Sequence, residues 1–227
     1  MGGLGGCRGS TRASRRVLRD FRRLLNRFGY GGSLYGHFGQ GCVHTRTNFN
    51  LETPAGIATY RSFIDEAADL VVSYGGSLSG EHGDGQSRAE LLPKMFGETL
   101  VGAFREFKRI WDPDRLMNPG KLVEAYGPTE SLRRPAYQPE SVRTFFHLTA
   151  EGGMAGAALR CVGVGKCRET HGGTMCPSYM VTRDEQHSTR GRAHLLFEML
   201  RGETITTGWE SDEVKSALDL CLACKAC

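Results

Sequence analysis

The sequence predicts an α+β domain followed by a smaller, mainly α-helical, cysteine-bearing module. Three observations carry this reading. Apolar residues recur at helical spacing in three long segments, and glycine-flanked runs of β type lie between them. A proline-bearing polar stretch then interrupts the pattern. Beyond it, six of the eight cysteines lie at or after residue 161.

A chain of 227 residues suits one large or two small domains, and a hydrophobic content of 39% supports a core. The formal net charge of +4 comes largely from arginines at 8, 12, 15, 16, 19, 22, 23 and 27. Such a run can mark nucleic-acid binding. Here it reads as the polar face of a helix with a lead-in, since no nucleic-acid module follows, and no nucleic-acid partner is expected. No apolar run approaches the ~18 residues of a transmembrane helix. The start, Met-Gly-Gly-Leu-Gly-Gly, has no apolar stretch of the kind a signal peptide needs. The expected location is the cytoplasm, or the inner membrane face as a peripheral protein.

Residues 1–16 are rich in Gly and Arg without apolar periodicity, and read as a disordered or foreign lead-in. A helix over about 17–28 follows, with Val17, Phe21, Leu24, Leu25 and Phe28 on one face and Gly29 as its stop. Residues 30–49 read as two short strands joined by a Gly-rich turn. In the second strand Cys42, His44, Arg46 and Asn48 share one face, and Val43, Thr45, Thr47 and Phe49 the other. The pair His37 and His44 could meet across the turn as a metal site or an acid/base pair; two ordinary surface histidines are the alternative. Thr53-Pro54 starts the next helix, with Thr as N-cap and Pro at the first helical position. Its expected buried stripe is Ile57, Tyr60, Ile64, Ala67, Ala68, Val71 and Val72. After Gly75-Gly76, residues 77–85 read as a strand running into a loop that holds Glu81, His82 and Asp84 between glycines. That strand would set Glu81 beside His37 and His44, and two imidazoles with one carboxylate make a divalent-metal set. A third helix, about 97–111, shows Leu100, Ala103, Phe104, Phe107, Ile110 and Trp111 on its expected inner face. Residues 124–158 read as a linker, irregular to its end.

The cysteines of the last part are Cys161, Cys167 and Cys176-Pro177, then Cys221-Leu-Ala-Cys224-Lys-Ala-Cys227. Bacterial ferredoxins space their ligands C-x2-C-x2-C-x3-C-P, and the Cys before Pro serves the other cluster. Crossing the halves assembles Cys176, Cys221, Cys224 and Cys227, enough for one [4Fe-4S] cluster. In the other half Val164 stands where the middle cysteine would be, so Cys161 and Cys167 form a degenerate second site. Four thiolates can also hold zinc, and disulfides are disfavoured without a secretory context. Ser188 caps a helix over 189–201. Ser211 caps another over 212–220, which delivers Cys221.

Three segments together resemble a known family: Gly36-His37-Phe-Gly-Gln-Gly-Cys-Val-His44, Gly76-Ser-Leu-Ser-Gly-Glu81-His82-Gly-Asp-Gly, and Asn118-Pro-Gly-Lys121. In this order they are similar to the C-terminal part of FAD-linked D-2-hydroxyacid dehydrogenases. These are the D-lactate, glycolate and D-2-hydroxyglutarate oxidising flavoproteins of the vanillyl-alcohol-oxidase type. The cysteine module resembles the ferredoxin-like half that large bacterial members carry in the same chain. The resemblance implies a ferredoxin-like α/β cap, or substrate, domain over 17–123 and an Fe-S module over 159–227. It also implies roles. His37, His44 and Glu81 would bind a divalent metal, Zn2+ or Mn2+, that lowers the pKa of the substrate hydroxyl. His82 would be the general base, since imidazoles titrate near neutral pH. Asn118 would approach the flavin. Arg46, on the strand face of His44, is inferred to pair with a substrate carboxylate. Gly39-Gln40-Gly41-Cys42 departs from the family's usual Gly-Asp-Gly-Asn, so the pocket can differ. The family's FAD domain lies N-terminal, and no pyrophosphate-binding segment precedes residue 30. The expectation is therefore a fragment that needs this domain as a partner and holds FAD mainly through it. Electrons would pass from a small 2-hydroxyacid to FAD, to the cluster, and to a quinone or carrier protein. The alternative is an electron-transfer or docking module without catalysis of its own.

Overall fold

The computed structural model describes residues 2–4, 11–132, 137–173 and 175–226, with side chains from residue 15 onward. The chain divides into two compact units, residues 1–136 and 137–227. This boundary falls inside the stretch expected to be a linker.

The first unit is α+β. Strands β1 (Gly2–Leu4), β2 (Gly32–His37) and β3 (Cys42–Thr47) form an antiparallel sheet in the order β1-β3-β2. Helices α1 (Thr11–Arg27), α2 (Pro54–Ser73) and α3 (Leu92–Trp111) complete it. The lead-in reading of residues 1–16 is corrected on two counts. Gly2–Leu4 pairs with Thr45–Val43 of β3, and α1 begins at Thr11. The first turns of α1 carry no apolar stripe, but Ala and Arg are strong helix formers.

The core follows the sequence pattern closely. Phe21, Leu24 and Leu25 of α1 pack on Phe63 and Ala67 of α2. Tyr30 stands edge-on to Phe63 and to Phe49. A second cluster joins Ala68 to Leu78, Leu91, Leu92 and Val101. Helix α2 is capped as expected: Thr53 Oγ1 accepts from Gly56 N at 3.1 Å, with Pro54 at the first helical position. Arg61 of α2 grips Glu90 with two bonds of 2.7 Å, joining this helix to the entry of α3.

Two expectations fail in this unit. Residues 77–80 do not form a strand but a run of bends, anchored by Leu78, which is 3% exposed. On α3 the expected inner face is turned out: Phe107, Ile110 and Trp111 are 65%, 74% and 67% exposed. Gly97 has non-helical angles that kink α3. Past the kink, among the described residues, Val101 and the half-buried Phe104 are the ones that reach the core, and the last turns extend past it.

Helix α3 ends on a buried carboxylate. Asp112 accepts from Lys108 Nζ, from Leu116 N at 2.8 Å and from Met117 N at 3.0 Å. The Lys108 bond, helped by the two amides, holds the Asp112 carboxyl below the usual range. A depressed folded pKa gives stability that is present above the unfolded value of ~3.9 and is lost as pH falls through the folded value. Melting curves of wild type and Asp112→Asn should therefore differ at pH 6 and converge toward pH 2. A constant difference would show that ionisation of Asp112 is not involved.

The second unit is mainly helical: α4 (Gly153–Leu159), α5 (Pro177–Thr182), α6 (Thr189–Arg201) and α7 (Asp212–Asp219). Ala155, Met199, Leu200 and Val214 form its core, beside Phe197 at 1% exposure. Both expected caps are present. Ser188 Oγ accepts from Gly191 N at 2.9 Å and Ser211 Oγ from Val214 N at 3.3 Å. Helix α4 lies where irregular chain was expected. Its alanines favour helix, but Gly153 and Gly156 hide a segment of seven residues. No helix among the described residues is long and apolar enough to cross a membrane.

Candidate active site

The hairpin β2–β3 builds one wall of the site. His37 pairs with Cys42 and Tyr35 with His44 across the ladder. Gly36 permits the close approach: a Cβ there would lie 2.5 Å from Cys42 O, and its φ is +135°. His44 is buried at 5% exposure. The loop 79–85 supplies the other wall. Glu81 faces the histidines, with Oε1 2.7 Å from His44 Nε2 and 3.6 Å from His82 Nε2, and Oε2 3.8 Å from His37 Nε2. The His44 and His82 rings stack at 4.4 Å and 13°. Three histidines thus surround one carboxylate.

The electrostatics follow from that arrangement. The hydrogen bond from His44, then the fields of His37, His44 and His82, hold Glu81 below the usual carboxylate range. Glu81 therefore remains anionic in the middle of the cluster. His44 Nδ1 is buried without a hydrogen-bond partner among the described residues. One donor atom each from His44, Glu81 and His82 lies within 4.8 Å of the others. Imidazole nitrogens with a carboxylate oxygen are the donor set of Zn2+ or Mn2+, so these residues fit a divalent cation. The most compact group includes His82 rather than the more exposed His37, whereas the sequence reading had ligands His37, His44 and Glu81 with His82 beside them. His44 and Glu81 are common to both sets.

Arg46 is exposed on the face of His44, its guanidinium 5.7 Å from the Tyr35 ring. Tyr35 also lies against His44, at 5.3 Å between ring centres. The sequence reading passed over Tyr35. Strand alternation on β2 was the available signal, because Tyr35 and His37 share one face. Asn118 is exposed with φ 49°, in the turn that Asp112 organises. That segment is tied to the Glu81 loop: Lys121 Nζ donates to Gln86 Oε1 at 2.6 Å and Leu122 N to Gly85 O at 3.2 Å. Neither link was legible, since Gln86 and Lys121 are distant in sequence and common on surfaces.

The second unit holds a separate candidate centre. Cys176, Cys221 and Cys224 line one largely apolar cavity of about 480 Å³, with Leu148, Met154 and Leu218 among its walls. Cys176 is buried and takes a left-handed φ of 57° before Pro177. Cys221 and Cys224 are exposed. Their soft thiol donors suit iron–sulfur or zinc chemistry. Cys227, the expected fourth ligand, lies outside the described residues. Cys161 is half-buried and Cys167 buried, and neither is among the described residues lining this cavity. Val164, between them, is 72% exposed.

Residues 12–122 match the family model of FAD linked oxidases, C-terminal domain. The chain is 35% identical over 188 residues to a D-2-hydroxyglutarate dehydrogenase of Pseudomonas putida, which covers 81% of this chain and 18% of the relative. A D-2-hydroxyglutarate dehydrogenase of Escherichia coli is 32% identical over 250 residues, covering 92% of this chain and 24% of its own length. A D-lactate dehydrogenase of Archaeoglobus fulgidus is 34% identical over 105 residues, 46% of this chain and 23% of that protein. The chain thus spans about a fifth to a quarter of the length of these curated relatives.

Proposed function

Since the chain belongs to the FAD-linked oxidases through their C-terminal domain, we propose that it forms the substrate-activating and electron-exit part of a flavin-dependent dehydrogenase. Its substrates are D-2-hydroxyacids of the 2-hydroxyglutarate, lactate or glycolate type. The observation that carries this is the anionic Glu81 held among His37, His44 and His82. His44, buried at 5% exposure, meets Glu81 from a position 37 residues away in sequence.

His37, His44 and Glu81 would hold a divalent cation that, when bound, supplies Lewis-acid polarisation of the substrate's hydroxyl and carboxylate oxygens, while FAD supplies the hydride acceptor. The chain's own residues do the rest. His82 takes the hydroxyl proton at Nε2, and the neighbouring Glu81 Oε1 stabilises the imidazolium so formed. Arg46 binds a carboxylate of the substrate through its guanidinium. Tyr35, under both Arg46 and His44, fixes their directions.

In the second unit, Cys176, Cys221, Cys224 and Cys227 are the residues that would hold one [4Fe-4S] cluster, which would supply one-electron transfer toward a quinone or carrier protein. Its support is the shared cavity of the first three thiols and their spacing. The same observation favours the second reading, an electron-transfer module that docks a redox partner.

Manganese titrated into the chain tests the first reading. The free ion gives a sharp six-line electron-spin resonance that is lost on binding. One Mn2+ per chain should bind, and Glu81→Ala should abolish binding. No binding to the wild type would leave only the second reading.

A further inference from the structure

Arg192 is the one strongly basic side chain buried beside the cysteine cavity among the described residues. It lies on α6 at 8% exposure, and no surface role accounts for it. Burying a guanidinium is costly unless its donors are satisfied and its charge has an anionic neighbour. Here the donors are satisfied in a particular way. Nε donates to Ala217 O at 2.7 Å, and Nη2 to Ser178 Oγ at 2.8 Å. Ser178 Oγ in turn donates to His187 O at 3.0 Å. The remaining branch, Nη1, points at Cys176 Sγ, 3.8 Å away. Thr189 Oγ1 sits against the same sulfur at 2.9 Å.

These contacts join segments far apart in sequence. Cys176 and Ser178 frame the start of α5, and Ala217 lies in the last turns of α7, four residues before Cys221. One planar side chain thus spans the Cys-Pro half of the ligand set and the helix that delivers the other half. A guanidinium suits this task because its donors are fixed in one plane, so bonds to two elements fix the elements relative to each other. Nothing among the described contacts supplies a carboxylate to Arg192. The sulfur of Cys176 is the group left to balance its charge, and it carries negative charge only as a thiolate, free or iron-bound.

We propose that Arg192 positions Cys176 against the end of α7 and, with Thr189, raises the reduction potential of the cluster bound there. This rests on the cluster reading given above. The direction follows from charge. Reduction adds one electron to the cluster, and a fixed positive charge and an O–H donor at a ligating sulfur favour the more negative state.

The test uses the full chain, reconstituted anaerobically with ferrous iron and sulfide and titrated electrochemically. Thr189→Val removes only the hydroxyl contact, on a half-buried residue at the start of α6, and serves as the variant certain to test the sulfur environment. Arg192→Met removes the charge at similar volume, and Arg192→Lys restores charge without the planar fork. The expectation for Arg192→Met is a cluster about tenfold harder to reduce at a fixed potential, which is 59 mV lower for a one-electron couple. Thr189→Val should shift in the same direction by less. Arg192→Lys should recover most of the potential while loading less cluster, because the bond to Ala217 O is lost. If Arg192→Met fails to fold, as circular dichroism would report, a lowered potential in Thr189→Val together with reduced loading in Arg192→Lys still supports the proposal. Wild-type potentials in every variant that binds cluster would overturn it and leave the cluster intact as a reading. A wild-type chain that takes up no iron–sulfur chromophore would overturn the cluster reading itself.

Discussion

Replacing His82 with alanine, in the chain joined to the flavin-binding part of a relative, is expected to lower kcat by about 10²–10⁴-fold. The figure is the usual contribution of a positioned general base. Manganese binding should be unchanged, because His37, His44 and Glu81 remain. His37→Ala should behave differently, losing the ion and, with it, activity that added Mn2+ partly restores. Both outcomes matter, because His44, Glu81 and His82 form the more compact donor group. If His82→Ala loses the ion and His37→Ala keeps it, the two histidines exchange roles. A near-wild-type rate in His82→Ala would remove it from the proton transfer altogether.

Replacing Cys224 with serine is expected to abolish the broad visible absorption of the reconstituted chain. A [4Fe-4S] cluster needs four thiolates here, and only Cys176, Cys221, Cys224 and Cys227 have the required spacing. The effect is on assembly rather than on tuning, so it should be close to all-or-none. Cys167→Ser should leave most of the colour, since Cys161 and Cys167 lie outside the described lining of the cavity. A colourless wild type holding one tightly bound zinc would replace the cluster by a zinc site. Colour retained in Cys224→Ser would show that other thiols carry it.

How far the sequence spoke depended on distance along the chain. Helix α2 was legible at its start because Thr53-Pro54 is a local signal whose bonds close within three residues. The same holds for Ser188 and Ser211. Glu81 was assigned to the histidines because its neighbourhood combines glycines with ionisable groups, yet the route was wrong. A strand was expected, and the loop is instead pinned by one buried leucine, Leu78. Helical periodicity misled at α3, where Phe107, Ile110 and Trp111 keep the spacing of a buried face and remain exposed. Periodicity reports which residues share a side, and what covers that side is a tertiary fact. Phe63, buried against α1, was omitted from the expected α2 stripe although α1 offered its own apolar face. Strand β1 was invisible because Gly2–Leu4 has no alternation to read, and its pairing with β3 is a long-range event. Arg192 was equally hidden. In Ser188-Thr-Arg-Gly-Arg192 nothing local says which arginine turns inward, and its partners at 176, 178 and 217 appear only when α5, α6 and α7 meet.

The most direct test of the whole account is the colour of the flavin. The chain, joined to the flavin-binding part of a relative and loaded with FAD and Mn2+, is mixed without oxygen with D-2-hydroxyglutarate, D-lactate or glycolate. The account predicts that at least one of them bleaches the flavin absorption, and that Glu81→Ala leaves it yellow over the same time. A wild-type protein with FAD and Mn2+ bound that stays yellow with all three would contradict it.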